Sequence, residues 1–156
     1  MTTPNIQSTS TDKLKLRVLI IEDDLSLEPV WNYILGQLNF EIEFEWVYSF
    51  AEAERSIKNV TKNNSQYDLV LLDVFIYGSK SGIDFWAQYH ETMNERLVVM
   101  SSIEQCKIKG YLHAKNEPFY IQKPIDISKT IAFLNGHLNN LTPNQNRSSS
   151  ANPLAV

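Results

Sequence analysis

The sequence predicts an α/β domain built on a doubly wound sheet of five parallel strands. Three observations carry this. Short apolar runs alternate five times with segments of helical periodicity. Val18–Ile21, Leu69–Leu72 and Leu97–Met100 are apolar at every position, as in strands covered on both faces. The chain between successive runs is long enough for a helical crossover, which in such sheets is right-handed.

The first strand covers Leu16–Ile21. After it, Leu27, Val30, Trp31, Ile34, Leu35 and Leu38 fall on one helical stripe. Ser26 stands where an N-cap belongs, and Pro29 falls in the first turn, where its missing N–H costs nothing. Over 41–49, Glu41, Glu43 and Glu45 alternate with Ile42, Phe44 and Trp46, which reads as a sheet-edge strand with one wet face. Ser49 and Glu52 form a capping box for helix two, whose stripe is Phe50, Ala53, Ile57 and Val60. Leu69–Asp73 is the third strand, followed by a polar loop and a helix with Ile83, Trp86 and Met93 inward. Leu97–Ser101 is the fourth. Its helix, within 103–114, is weakly patterned, and Gly110 weakens it further. Phe119–Gln122 is the fifth strand, and Asp126 caps a last helix with Ile127, Ile131, Leu134 and Leu138 inward.

Residues 1–13 and 142–156 are polar and are expected to be disordered tails, leaving a body of about 14–141. The body's size suits one domain. A net charge of −4 argues against non-specific binding to nucleic acid or anionic lipid. A single cysteine, Cys106, excludes an internal disulfide, and no apolar run approaches membrane-spanning length. With no signal-peptide pattern at the N-terminus, the chain is expected to be cytoplasmic.

Ligands of such sheets sit beyond the carboxyl ends of the strands. There the first strand runs straight into Glu22, Asp23 and Asp24, the third ends in Asp73, the fourth in Ser101, and the fifth just before Lys123-Pro124. Clustered carboxylates repel one another, and a hard divalent cation such as Mg²⁺ removes that cost. Asp24 is read instead as an acid that complements a helix N-terminus.

With these residues in view, the chain resembles the receiver domain of two-component response regulators. VLIIEDD (18–24) is similar to the family's first-strand acidic pair and LVLLD (69–73) to its phosphoacceptor strand. VVMSS (98–102) resembles the strand ending in Ser or Thr, and FYIQKP (119–124) the aromatic and Lys-Pro element. The resemblance spans 14–141. It implies the flavodoxin-like (βα)5 receiver fold with strand order 2-1-3-4-5. Asp73 would be the phosphoacceptor. Asp23 would bind Mg²⁺ directly, Glu22 through a metal-bound water, and Phe75 by its backbone carbonyl. Ser101 would hydrogen-bond a phosphoryl oxygen, and Lys123 would pair with Asp73 or its phosphate. Tyr120 would be either the switch aromatic or simply core. The Lys123–Pro124 bond would be cis. The implied donor is a histidine kinase or histidine phosphotransfer protein. Output would be protein–protein contact through the fourth helix, fifth strand and fifth helix, with an unknown target and no nucleic acid or membrane.

The loop after Asp73 departs from the pattern. Tyr77 stands where the family usually has proline, and Gly82 arrives about a residue late, so Gly78 and Gly82 are expected to absorb unusual backbone angles. Phe75 and Ile103 either screen the acyl phosphate from water or pack against neighbouring loops. His90, His113 and His137 are read as structural or solvated. Cys106 is read as a small buried apolar residue or an incidental surface thiol, and Lys107 and Lys109 as a solvated basic spot. Two rival readings stand beside the leading one: a pseudo-receiver that binds partners without phosphorylation, and an aspartate-nucleophile phosphatase. The second lacks its general acid because Phe75 occupies that position. The chain is therefore expected to be a signalling domain, not an enzyme.

Overall fold

The computed structural model describes residues 13–142. The expected tails, 1–13 and 142–156, lie outside the described residues except for Lys13 and Thr142. These two bond to the body, Lys13 Nζ to the Leu38 carbonyl and Thr142 Oγ1 to the Leu138 carbonyl.

Five strands, β1 (Lys15–Ile21), β2 (Glu41–Val47), β3 (Leu69–Asp73), β4 (Leu97–Ser101) and β5 (Phe119–Gln122), form one parallel sheet in the order β2-β1-β3-β4-β5. The helices are α1 (Glu28–Gly36), α2 (Phe50–Lys62), α3 (Gly82–Met93), α4 (Gln105–Tyr111) and α5 (Ile127–Leu141). Both the order and the alternation are those expected. β3 and β4 are buried at every residue, because helices cover the sheet on both faces. Alternate residues of β1 feed two cores. Leu19 and Ile21 pack with Phe50, Phe85 and Ile108, whereas Val18 and Ile20 pack with Trp31, Ile34, Leu134 and Leu138. β2 lies at the edge, with exposed glutamates alternating with half-buried Ile42, Phe44 and Trp46. No described helix is long and apolar enough to cross a membrane.

Several local expectations change. Ser26 does not cap α1, whose N-cap is Leu27 without a side-chain hydrogen bond; the capping side chain lies one turn earlier, at Asp24. The chain enters through a 3-10 turn, Leu25–Leu27, and Asp24 Oδ1 accepts the Ser26 N–H at 2.9 Å. Asp24 is thus a helix-entry acid, as read, and Pro29 sits in the first turn of α1. Ser49 caps α2, but Glu52 reaches back to the Tyr48 N–H at 2.8 Å, one residue before the capping serine. On α3 the fully buried residue is Phe85, and Ile83 is only half-buried. On α5, Ile127 is exposed, while Thr130 and His137 join Leu134 and Leu138 on the inner face.

His137 lies between the rings of Phe119 and Phe133, with Nε2 2.7 Å from the Glu95 carbonyl. Burial holds its imidazole below the ordinary pKa, against the opposing pull of Glu95. Below about pH 6.5 the unfolded chain takes up a proton here that the folded protein resists. Stability therefore falls as pH falls through that window. Thermal melts of wild type and His137→Phe across pH 7.5 to 5 should show the wild type losing more stability; parallel losses would refute this.

Candidate functional site

The sheet ladder sets the site. The Glu22 N–H donates to the Val47 carbonyl at 3.0 Å, extending the β1–β2 pairing past Ile21. Asp73 pairs with Met100, and the Val74 N–H donates to the Met100 carbonyl at 3.2 Å. Ser101 lies opposite Gln122, and the Lys123 N–H donates to the Ser101 carbonyl at 2.8 Å. These pairings bring the carboxyl ends of β1, β3, β4 and β5 to one rim.

On that rim Lys123 Nζ donates to Glu22 Oε2 at 2.5 Å and to Asp73 Oδ2 at 2.7 Å. Glu22 is 0% exposed and Asp73 5%. Burial raises the Glu22 pKa and the nearby Asp73 adds to this, while the hydrogen bond from Lys123 works against it. For Lys123, burial alone lowers the pKa, but the hydrogen bonds to Asp73 and Glu22 together outweigh it, and the ammonium is held above its ordinary value. The second Glu22 oxygen accepts the Asp24 N–H at 3.1 Å, and the Glu22 carbonyl accepts the Trp46 indole N–H at 2.8 Å. Asp23 is half-buried. Glu22, Asp23 and Asp73 each present a carboxylate oxygen within 4.8 Å of the others. Three carboxyl groups, all oxygen donors, facing one ammonium fit a hard divalent cation such as Mg²⁺.

The β3–α3 loop closes over these acids. The Phe75 N–H donates to Asp73 Oδ1 at 2.9 Å and the Tyr77 N–H to Asp23 Oδ2 at 2.8 Å. Of the two glycines expected to take unusual angles, only Gly78 does, at φ +135°. Gly82 is needed for space: a Cβ there would lie 2.0 Å from the Asp73 carbonyl oxygen and 2.7 Å from Val74 Cα. The start of α3 is thus seated against the backbone of the acidic strand end.

Ser101 is fully buried, and its Oγ accepts the Ile103 N–H at 3.1 Å. The Tyr120 hydroxyl is shared between the carbonyls of Ser101 and Ile103, which ties β5 to the β4–α4 loop. Burial raises its pKa. The Phe75 side chain is 53% exposed, and Ile103 packs against the core. The Lys123–Pro124 peptide is cis. Away from the rim, His90 stacks on Trp86, His113 is exposed and Cys106 is an exposed thiol. Lys107 pairs with Glu104 at 2.8 Å and Lys109 with Glu117 at 3.5 Å, so the basic spot on α4 is neutralised.

Sequence reasoning missed three contributors: the Trp46 indole, the Tyr77 N–H and the close approach at Gly82. Of these, only Gly82 left a local signal, a glycine just ahead of the α3 pattern.

No family model and no curated protein matches the chain. Solved structures do. The phosphorylated cyanobacterial phytochrome response regulator RcpA is 22% identical, with a TM-score of 0.60, over 80% of this chain and 92% of that one. A CheY-like response regulator receiver domain protein from Methanospirillum hungatei JF-1 is 19% identical, with a TM-score of 0.61, over 83% and 98%. The receiver domain of the Francisella response regulator 1452 is 18% identical, with a TM-score of 0.59, over 80% and 98%. The fold is that of response-regulator receiver domains.

The contacts at Gly82 predict that Gly82→Ala costs on the order of 1–3 kcal/mol, as overpacking does. Gly136→Ala, in α5 with nothing within 4 Å, should instead gain about 0.5–1 kcal/mol. Urea unfolding of both variants checks the pair of signs; equal effects would contradict the packing argument.

Proposed function

We propose that the chain is a response-regulator receiver that takes a phosphoryl group on Asp73 from a histidine kinase or histidine phosphotransfer protein. One observation supports this above the others: a single ammonium, Lys123 Nζ, within 2.7 Å of both Glu22 and Asp73, with Asp23 beside them. A carboxylate attacks phosphorus only when charge on both partners is offset. Lys123 supplies one fixed positive charge. Mg²⁺, when bound, supplies the larger share of neutralisation. It would be held by Asp23, Asp73 and the Phe75 backbone carbonyl, with Glu22 acting through metal-bound water.

In the transfer, an Asp73 carboxylate oxygen forms the new O–P bond as the donor's N–P bond breaks. The electron pair returns to the donor imidazole, which takes up a proton. Ser101 turns its hydroxyl to the phosphoryl group. Its turn releases the Ile103 N–H from Ser101 Oγ and so reaches Tyr120, whose hydroxyl is held by the backbone carbonyls of Ser101 and Ile103. Tyr120 then changes the α4–β5–α5 face, through which the protein signals by contact with another protein.

Incubation with Mg²⁺ and acetyl phosphate should add one phosphoryl group, read by intact mass. Asp73→Asn should abolish it, and unmodified wild type would sink the reading. The second reading, a binding module independent of phosphorylation, draws support from the altered β3–α3 loop, in which Tyr77 stands where proline is usual and Gly78 takes φ +135°. It is the one left standing if wild type takes up no phosphoryl group.

Phe75 and Ile103 flank the path of hydrolytic water in this reading and slow the loss of phosphate. Replacing both with small polar residues should shorten the phosphoprotein lifetime several-fold. An unchanged decay rate would assign them to packing alone.

A further inference from the structure

The loop that departs from the receiver pattern also makes the bracket across the acids. Its backbone holds one carboxylate from each of two strands: the Phe75 N–H on Asp73 and the Tyr77 N–H on Asp23. What fixes the loop therefore fixes the separation of those acids. Ile76 is anchored in the core at 5% exposure. Beyond it, Tyr77, Gly78, Ser79 and Lys80 are all exposed, Gly78 sits at φ +135°, and a 310 Å³ cleft separates this segment from Ser49–Ala51 and Glu54.

One side chain crosses that cleft. Lys80 Nζ stands 4.4 Å from the centre of the Phe50 ring, within cation–π range. Phe50 is a rigid platform. It is 6% exposed, opens α2, and sets its ring edge-to-face with Phe85 at 5.9 Å. Lys80 influences Glu54 and Asp84 at longer range but makes no ion pair with either among the described residues. Its ammonium lies instead over the aromatic face.

We propose that Lys80 is a positioning residue for the acid site. Seated on Phe50, it closes the β3–α3 loop onto the start of α2 and so holds the Tyr77 N–H against Asp23. The consequence for metal affinity rests on the reading of Asp23 as a metal ligand; the hold on Tyr77 does not. Two roles for Lys80 differ in sign. An ammonium acting only through space repels a divalent cation, so its removal strengthens metal binding. A positioning lysine acts the other way, because its removal frees Asp23 and weakens binding.

The test uses wild type, Lys80→Gln, Lys80→Arg, Phe50→Leu and the Lys80→Gln/Phe50→Leu double variant. In metal-free protein, amide hydrogen exchange at Tyr77 should quicken about two- to fivefold in Lys80→Gln, the size expected of an exposed cation–π contact. Phe50→Leu should do the same, the double variant should add nothing, and Lys80→Arg should restore the wild-type rate. Mg²⁺ affinity by calorimetry should fall by a similar factor in both single variants. Unchanged exchange at Tyr77, or tighter Mg²⁺ binding in Lys80→Gln with none in Phe50→Leu, would overturn the proposal. If Phe50→Leu fails to fold, exchange and affinity in Lys80→Gln against Lys80→Arg still decide. If wild type binds no Mg²⁺, the metal reading fails, while the exchange measurement still decides the role of Lys80.

Discussion

The architecture turns on one ammonium group that serves two carboxylates in a place nearly closed to water. Glu22 is fully buried, Asp73 almost so, and Lys123 reaches both from the end of β5. An isolated charge there is strongly disfavoured, and breaking such a pair typically costs about 3–5 kcal/mol. The arrangement also leaves a deficit. Three acids meet one lysine, so carboxyl groups outnumber the positive charge in the pocket. A core designed only for stability would replace these groups with apolar ones. Such a surplus of carboxyl groups suits the cation of the proposed function.

Under the proposed function, the rest of the rim carries outward what happens in that pocket. Ser101, Ile103 and Tyr120 share hydrogen bonds at the end of β4, while the Lys123 backbone is bonded to the same strand end. Lys123 links Asp73 to the end of β5, and a phosphoryl group on Asp73, as proposed, would add a second link through the Ser101 hydroxyl to the β4–α4 loop. α4 itself is a short helix, Gln105–Tyr111, with one buried residue, Ile108. Few contacts hold it, and an element so lightly anchored is suited to shift between arrangements. The β3–α3 loop behaves differently, since its backbone amides grip the acids directly.

Much of this was legible in the sequence. Unbroken apolar runs revealed the buried strands, the alternation at 41–47 marked the edge, and the acids at the strand ends located the rim. These are signals of period and position that local residues carry in full. What escaped depended on neighbours remote in the chain. Trp46 read as one more apolar residue of an alternating strand, yet its indole N–H fastens the Glu22 carbonyl. Gly82 read as a flexible turn residue, whereas its role is to admit the Asp73 backbone at a distance no Cβ tolerates. Ser26 read as the cap of the first helix, but the chain enters through a 3-10 turn that Asp24 caps. Ile127 satisfied the helical spacing but lies at the first turn of α5, beyond the sheet that the later turns cover.

The central claim is that Asp23 and Asp73 hold one divalent cation in a pocket faced by Lys123. Anomalous diffraction from crystals soaked in Mn²⁺, a hard cation of similar ligand preference, tests it most directly. A single strong peak is expected between the Asp23 and Asp73 carboxylates, with Lys123 drawn away from Glu22 or Asp73. A peak elsewhere, or none at the rim while Lys123 stays bound to both acids, would contradict it.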